Sequence, residues 1–471
     1  MSVILVNPPS LYRSPSFGLS YFELSRRQLG VEGIWSLPGE HLGLRSIEAS
    51  CAAHGIDVDV INGQVLFHRS TAETWDAIQA SVRRNGTPVL VGFSGPCQVF
   101  RENLELAVLV KRTWPDCCTI LGHDFGTLNY PRILEQHREF DFVCVGEGEH
   151  IFRTLASDLL QGRPPANAPG LAARGQLAKP APALDIDELP WPSRGDLAAV
   201  IAGGLSPAIF TSRGCPYRCT YCCTGEVAGL RAGPSRHRLK SLDNVCAEIE
   251  QLVNGHGVRF ISITDDLFVT KSLGSRERAE KFALRLIAAK LDVRFMVDLR
   301  VDSIERDVLK LLHEAGLRRM FVGVETSNPE QLEFYNKRYT RFDDRRDYIR
   351  RQLAIPGELG IEILPGIITY HAESSIAELR DILDLIDGCD LKSSYNFLNR
   401  LIAYPGTGVY RRYLERGLLL DEWPVPTWQF ADARIADIEQ SMRDAVARTS
   451  SFDEVRRLFV SLVSEHPAVA P

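Results

Sequence analysis

Two series of strand–helix alternations, parted by a proline-rich stretch, constrain the fold of this 471-residue chain more than any other feature. In the first series Val3–Asn7, Val58–Ile61, Val89–Ser94, Thr119–Gly122 and Phe142–Val145 read as apolar strands, and Leu44–His54, Thr71–Asn85 and Glu102–Trp114 carry helical spacing between them. Continuous apolar strands separated by helices predict a parallel sheet covered on both faces, because a half-exposed sheet would alternate apolar with polar. Pro164, Pro165, Pro169, Pro180, Pro182, Pro190 and Pro192 then mark a linker or an extended wrap over 164–204. In the second series Ile209–Thr211, Phe260–Thr264, Arg294–Leu299, Arg319–Val324 and Ile361–Ile367 read as strands, with Asn396–Ile402 as a sixth. The helices Leu242–Asn254, Arg276–Ala289 and Ile304–Ala315 lie between them. These βα units predict an α/β fold with a partial (βα)6 TIM-type barrel over 205–416, its chemistry at the C-terminal strand ends. Residues 417–471 read as a helical C-terminal region.

The formal net charge of -6 leaves no basic footprint for nucleic acid. Arg341, Arg345, Arg346, Arg350 and Arg351 are interleaved with Asp343, Asp344 and Asp347, which predicts a solvated mixed-charge helix face. Met1 to Pro9 reads as a short strand running into a loop, without the basic start and apolar stretch of a signal peptide. No apolar run is long enough to span a bilayer. A cytoplasmic protein with neither nucleic-acid nor membrane partners is expected. The 11 cysteines, in a chain without export signals, point to reduced thiols or metal ligands. Cys51, Cys144, Cys246 and Cys389 sit in apolar patterns, as small buried residues do.

Cys215, Cys219 and Cys222 differ from these, because all three lie on one loop directly after the first barrel strand. Thiolates are the usual ligands of iron–sulfur clusters. Three of them bind three irons of a four-iron cluster and leave the fourth open to a substrate or cofactor. A structural zinc site wants four closed ligands and a redox dithiol needs only a pair, so neither suits a three-cysteine loop well. Cys223 falls outside the spacing.

The C-x-x-x-C-x-x-C spacing, with Tyr221 before the last cysteine, resembles the radical S-adenosylmethionine (SAM) superfamily. The resemblance implies a [4Fe-4S] cluster on Cys215, Cys219 and Cys222 whose open iron chelates the amino and carboxylate groups of SAM. Electron transfer then yields a 5′-deoxyadenosyl radical. By the same resemblance the backbone of Tyr221 contacts adenine. Asp265 and Asp266 face the SAM amino group, where a carboxylate accepts charge-assisted hydrogen bonds; a helix cap is the alternative for this pair. Arg300 closes the third strand and pairs with the SAM carboxylate or a substrate. Glu325 closes the fourth and binds SAM or its ribose, and an Arg300–Glu325 ion pair is the structural alternative. Tyr370 and His371, with Ala372, stand where the family carries Leu-Pro-Gly, which marks them as candidates for substrate contact or proton transfer against an ordinary loop role. Pro405-Gly406-Thr407 matches a family turn.

Gly146-Glu147-Gly148-Glu149 follows the fifth strand. With the Pro8-Pro9 loop, it resembles the subgroup that has an N-terminal cobalamin (B12)-binding-type domain. This implies a Rossmann-like doubly wound parallel sheet over 1–163. Such sheets bind ligands at the carboxyl ends of their strands. Here those loops carry Ser94, Gly122, His123 and Gly126, where small residues let the backbone approach a cobalamin tail. No D-x-H-x-x-G supplies a histidine to cobalt, and His123 is either a ligand or a hydrogen-bonded loop histidine. The expected enzyme abstracts hydrogen from a small-molecule natural-product intermediate, as in antibiotic biosynthesis, and then transfers a methyl group with cobalamin. Flavodoxin or ferredoxin is the expected electron donor. The alternatives are a cobalamin-independent radical dehydratase (a lyase) or epimerase acting on an aminoglycoside-like sugar, and a non-catalytic iron–sulfur electron carrier or sensor. A tRNA methylthiotransferase would need a second cysteine triplet and a basic RNA-binding module, and the sequence carries neither.

Overall fold

The computed structural model describes residues 1–9, 40–63, 69–230, 236–337, 345–421, 423–449 and 451–465. The N-terminal sheet holds β1 (Ser2–Asn7), β2 (Asp59–Asn62), β3 (Pro88–Phe93), β4 (Cys118–Leu121), β5 (Phe142–Cys144) and β6 (Leu171–Ala173). Their order is β2-β1-β3-β4-β5-β6. The first five are parallel, and β6 pairs antiparallel with β5. Ile4, Val6, Val91 and Phe93 pack on one face and Val3, Leu5, Leu90 and Ile120 on the other, so both faces are covered and the strands read as continuous apolar runs. The order reverses between β1 and β3, and a crevice opens there beyond the carboxyl ends of the strands.

The proline-rich stretch is a wrap that contributes structure to the sheet. It supplies β6 and, further on, Arg194, whose buried guanidinium bridges Glu40 and Glu248. The predicted loop at His123–Gly126 is the first turn of the helix His123–Gln136. Gly126 is buried there beside Val143 and Leu121, so it seats the helix on the sheet and does not face a ligand.

The second half contains β7 (Ala208–Ile209), β8 (Ser212–Arg213), β9 (Arg238–Leu239), β10 (Phe260–Ile263), β11 (Arg294–Arg300), β12 (Leu317–Glu325) and β13 (Glu362–Ile367). Five of these form a parallel sheet in the order β13-β12-β11-β10-β7, while β8 and β9 make a short antiparallel pair. The sixth position is irregular. A 3-10 turn occupies Ser394–Phe397, after which the chain runs parallel to Tyr370 through a single bridge at Arg400. Thr369 Oγ1 donates to the Asn396 carbonyl (2.5 Å), and Asn396 Nδ2 donates to the Leu391 carbonyl (3.2 Å). Side chains thus take backbone groups that a regular ladder would need.

The C-terminal helices Ala433–Arg448 and Phe452–Ser464 close part of the open side. Ile435, Ile438, Met442, Val455 and Phe459 join the barrel's core, and the Phe459 ring lies 4.9 Å from that of Phe397. Arg346 pairs with Asp381 and Asp384, and Arg350 and Arg351 pair with Asp347, all on a solvated face. Arg341, Asp343 and Asp344 lie outside the described residues. Among the described residues no helix is long and apolar enough to cross a membrane.

Candidate active site

The three-cysteine loop leaves β8 at Arg213 and ends in the short helix Cys223–Gly229. Its backbone is pinned on several sides. Thr211 N (2.6 Å) and Ser212 N (2.9 Å) donate to Asp265 Oδ1, and the Thr211 hydroxyl donates to Oδ2. Asp266 accepts from Gly214 N (3.1 Å) before the cysteines and from Thr224 Oγ1 (2.9 Å) after them. Thr220 N donates to the Tyr335 carbonyl (3.0 Å), Thr220 Oγ1 to that of Phe334 (2.8 Å), and Asn336 Nδ2 to that of Arg218 (2.8 Å). Val409 N donates to the Thr220 carbonyl (3.0 Å). This last contact explains the sequence Pro405-Gly406-Thr407-Gly408. Thr407 caps the helix Gly408–Glu415, and a Cβ on Gly408 would stand 3.3 Å from Thr220, so glycine lets that helix reach the loop.

Cys215, Cys219 and Cys222 are half-buried and unpaired in disulfides. Burial pushes the Cys215 thiol up to about 11, with Asp266 and the other two thiols adding to it, and burial likewise raises Cys222. A metal must displace these protons, so binding weakens with acid. Arg300 brings a positive charge to the loop. Its guanidinium lies 3.8 Å from Cys219 Sγ and 3.9 Å over the Tyr217 ring, held by Asp302 at 2.9 and 3.3 Å. Among the described residues no three His, Cys, Asp or Glu side chains converge as a single-ion site. A cluster does not require that, since each thiolate takes a different iron, and three thiols spread along one loop fit it.

The predicted site residues separate into different roles. Asp265 is buried with both oxygens turned to backbone and hydroxyl donors of β8, so it supports the loop and does not face SAM. Asp266 faces a cavity. Arg300 and Glu325 do not pair: Arg300 is bound by Asp302, and Glu325 by Lys337 and by the Tyr221 hydroxyl at 2.7 Å. Glu325 ends β12 with φ 63, a left-handed conformation that costs about 1–3 kcal/mol for a non-glycine residue and concentrates at functional sites. Tyr370 is fully buried against Phe430, its hydroxyl without a hydrogen-bond partner among the described residues, and lies in the core, not on the cavity. His371 is also buried, its Nε2 2.7 Å from Gln331 and 3.3 Å from Glu378. It braces the helix Pro329–Phe334, which in turn holds Thr220.

Some residues at the site escaped the sequence reading. Asp298 sits two positions before Arg300 on β11, hence on the same face, and strand alternation would have found it. Burial, then the carboxylates of Asp265 and Asp266, lift Asp298 to about 7. Lys337 has no local signal, because only the fold brings it to Glu325. His41 caps the helix Leu42–Ala52 through its ring, and burial followed by His123 depresses it to about 4.

Two cavities meet this loop. One, of about 350 Å³, lies between the halves of the molecule. Ser94, Gly122, His123 and Asp124 line it from the N-terminal domain, Gly214 from the cysteine loop, Thr224 from the helix after it, and Asp266 from the end of β10. His123 is exposed at φ 76, and among the described residues its ring makes no hydrogen bond. The small residues at the strand ends fit a cobalamin tail in this cleft. The other cavity, of about 1370 Å³, is lined at one end by Tyr221 and Glu325 and runs along β12 and β13 and around the β13 edge to the helix Arg345–Glu358. The two halves are joined by ion pairs of Arg213 with Glu147 (3.1 Å) and Glu149 (2.5 Å), and of Arg238 with Glu147 (2.6 Å).

A thiol-bearing loop at the mouth of a parallel barrel, abutting a doubly wound domain across a shared cleft, defines a radical enzyme with a companion cofactor-binding domain. The family model for the Radical SAM superfamily matches residues 209–386, and that for the B12 binding domain matches residues 36–156. The chain thus carries a Radical SAM domain and, ahead of it, a B12-binding domain, and these domains imply a [4Fe-4S] cluster, SAM and cobalamin as cofactors. It is 25% identical to the uncharacterized methyltransferase PH0819 of Pyrococcus horikoshii over 89% of this chain and 84% of that protein. It is 26% identical to the anaerobic magnesium-protoporphyrin IX monomethyl ester cyclase of Synechocystis sp. over 73% of this chain and 65% of that one. In fold it resembles the cobalamin-dependent S-adenosylmethionine radical enzyme OxsB, with a TM-score of 0.71 and 17% identity, over 98% of this chain and 71% of that chain.

Proposed function

We propose that the protein is a cobalamin-dependent radical SAM methyltransferase acting on an unactivated carbon of a small-molecule natural product. The observation that carries this reading is the cleft lined jointly by the strand ends of the B12-binding domain, by Gly214 of the cysteine loop and Thr224 of the helix that follows it, and by Asp266 after β10. When bound, the cluster supplies the electron that breaks a carbon–sulfur bond of SAM, and cobalamin supplies a transferable methyl group. Cys215, Cys219 and Cys222 would hold the cluster. Asp266, near them, would orient the SAM amino group, and Tyr221 with Glu325 would seat its adenosine. Lys337 neutralises Glu325 from behind and keeps that carboxylate in place. Ser94, Gly122 and His123 would line the cobalamin side. The relation to PH0819, a methyltransferase by name, favours methyl transfer over dehydration or epimerisation.

The test is anaerobic turnover of the reconstituted protein with SAM and a reduced flavodoxin or ferredoxin, with and without cobalamin. Methyl transfer predicts 5′-deoxyadenosine together with a product heavier by one methylene unit, the latter dependent on cobalamin. A product that has lost water without cobalamin would replace this reading with a dehydratase. Absence of 5′-deoxyadenosine would leave an electron carrier or sensor.

A further inference from the structure

The cavity that opens from the barrel lumen past the β13 edge holds more room than one ligand needs. Its volume of about 1370 Å³ exceeds the roughly 300–1000 Å³ of a pocket built for one small molecule. Tyr221 and Glu325 mark one end. The rest extends along β12 and β13 to the gap beside the irregular sixth position. Phe321, Leu364, Ile367, Leu398, Leu401 and Trp428 line it. Phe321 is 39% exposed on a strand position that a closed barrel would bury. A Cβ on Gly366 would stand 2.6 Å from that ring, so glycine lets the aromatic lie against the β13 backbone as an apolar floor.

Each cation on these walls already touches a carboxylate, Arg400 and Arg443 sharing one. Arg350 pairs with Asp347, Lys392 with Asp390, and Arg400 and Arg443 with Glu439. A phosphate or carboxylate would have to displace those partners. Asn396, Asn399 and Thr427 also line the cavity, but sugar hydroxyls lying over Phe321 and Leu364 would lack hydrogen-bond partners there, a cost of about 1–3 kcal/mol each.

We infer that the lumen takes a neutral, largely hydrocarbon substrate of polycyclic size, admitted through the gap between β13 and segment 396–402 and resting on Phe321. This rests on the reading above, in which Tyr221 and Glu325 seat SAM at the other end. It argues against the aminoglycoside-like sugar.

The test is anaerobic equilibrium dialysis of the reconstituted full-length protein with the neutral probe N-phenyl-1-naphthylamine, using progesterone and glucosamine as competitors. Saturable binding that progesterone displaces and glucosamine does not is expected. Leu364→Gln and, at the more exposed position, Phe321→Gln should each weaken it by about tenfold while iron content stays unchanged. No saturable binding, displacement by glucosamine, or both variants binding like the wild type would overturn the inference. SAM cleavage by the same preparation separates the two claims. Cleavage without probe binding removes the hydrocarbon substrate alone, and probe binding without cleavage removes the radical SAM reading beneath it.

Discussion

Arg213, two residues before the first cluster cysteine, reaches across to the N-terminal domain and places its guanidinium 2.5 Å from Glu149. Glu147 accepts from the same guanidinium and from Arg238, so the Gly146–Glu149 motif joins the strand feeding the cluster loop to the companion domain. Removing one partner of a buried ion pair strands the other, at about 3–5 kcal/mol. Arg213→Ala should therefore lower stability by about 3 kcal/mol in urea unfolding. Iron retention should fall with it, because the loop loses its anchor.

Gly408→Val pushes a branched side chain into Thr220, on the cluster loop. The expected outcome is a folded protein, by circular dichroism, that keeps well under half the iron of the wild type. Gly408→Ala, with a single methyl, should fall between them.

Asp298 gives a pH signature. Burial first, then Asp265 and Asp266, raise it from 3.8 to about 7. Between these values the unfolded chain has released a proton that the folded chain keeps. Stability is therefore lost as pH rises through that window, by at most about 1.4 kcal/mol per pH unit. Urea unfolding of Asp298→Asn should show a flatter decline between about pH 4 and pH 7 than the wild type.

Lys337→Met leaves Glu325 buried without its cation. SAM affinity should fall roughly tenfold, about 1.4 kcal/mol, while the iron content is unchanged. Isothermal titration of the reconstituted protein with SAM measures this.

The strand–helix order and the three-cysteine loop were legible because periodicity and spacing are local properties of a sequence. Asp265 shows where that reading stopped. Two adjacent carboxylates look equivalent in sequence, but alternation along the chain turns one into the protein and the other toward the cavity. Tyr370 and His371 stand at a family turn, yet the direction in which each ring points depends on Phe430 and Gln331, which are distant in sequence. Lys337 and Glu325 meet only in the fold. The C-terminal helices look like an appendage in the sequence, and Phe459 against Phe397 makes them a wall of the barrel.

Electron paramagnetic resonance of the oxygen-free, dithionite-reduced protein tests the central claim most directly. The account predicts the signal of one reduced four-iron cluster, a change in that signal when SAM is added, and loss of both in Cys219→Ala with the N-terminal sheet still folded. A wild-type protein without bound iron, or a cluster signal that SAM leaves unchanged, would contradict it.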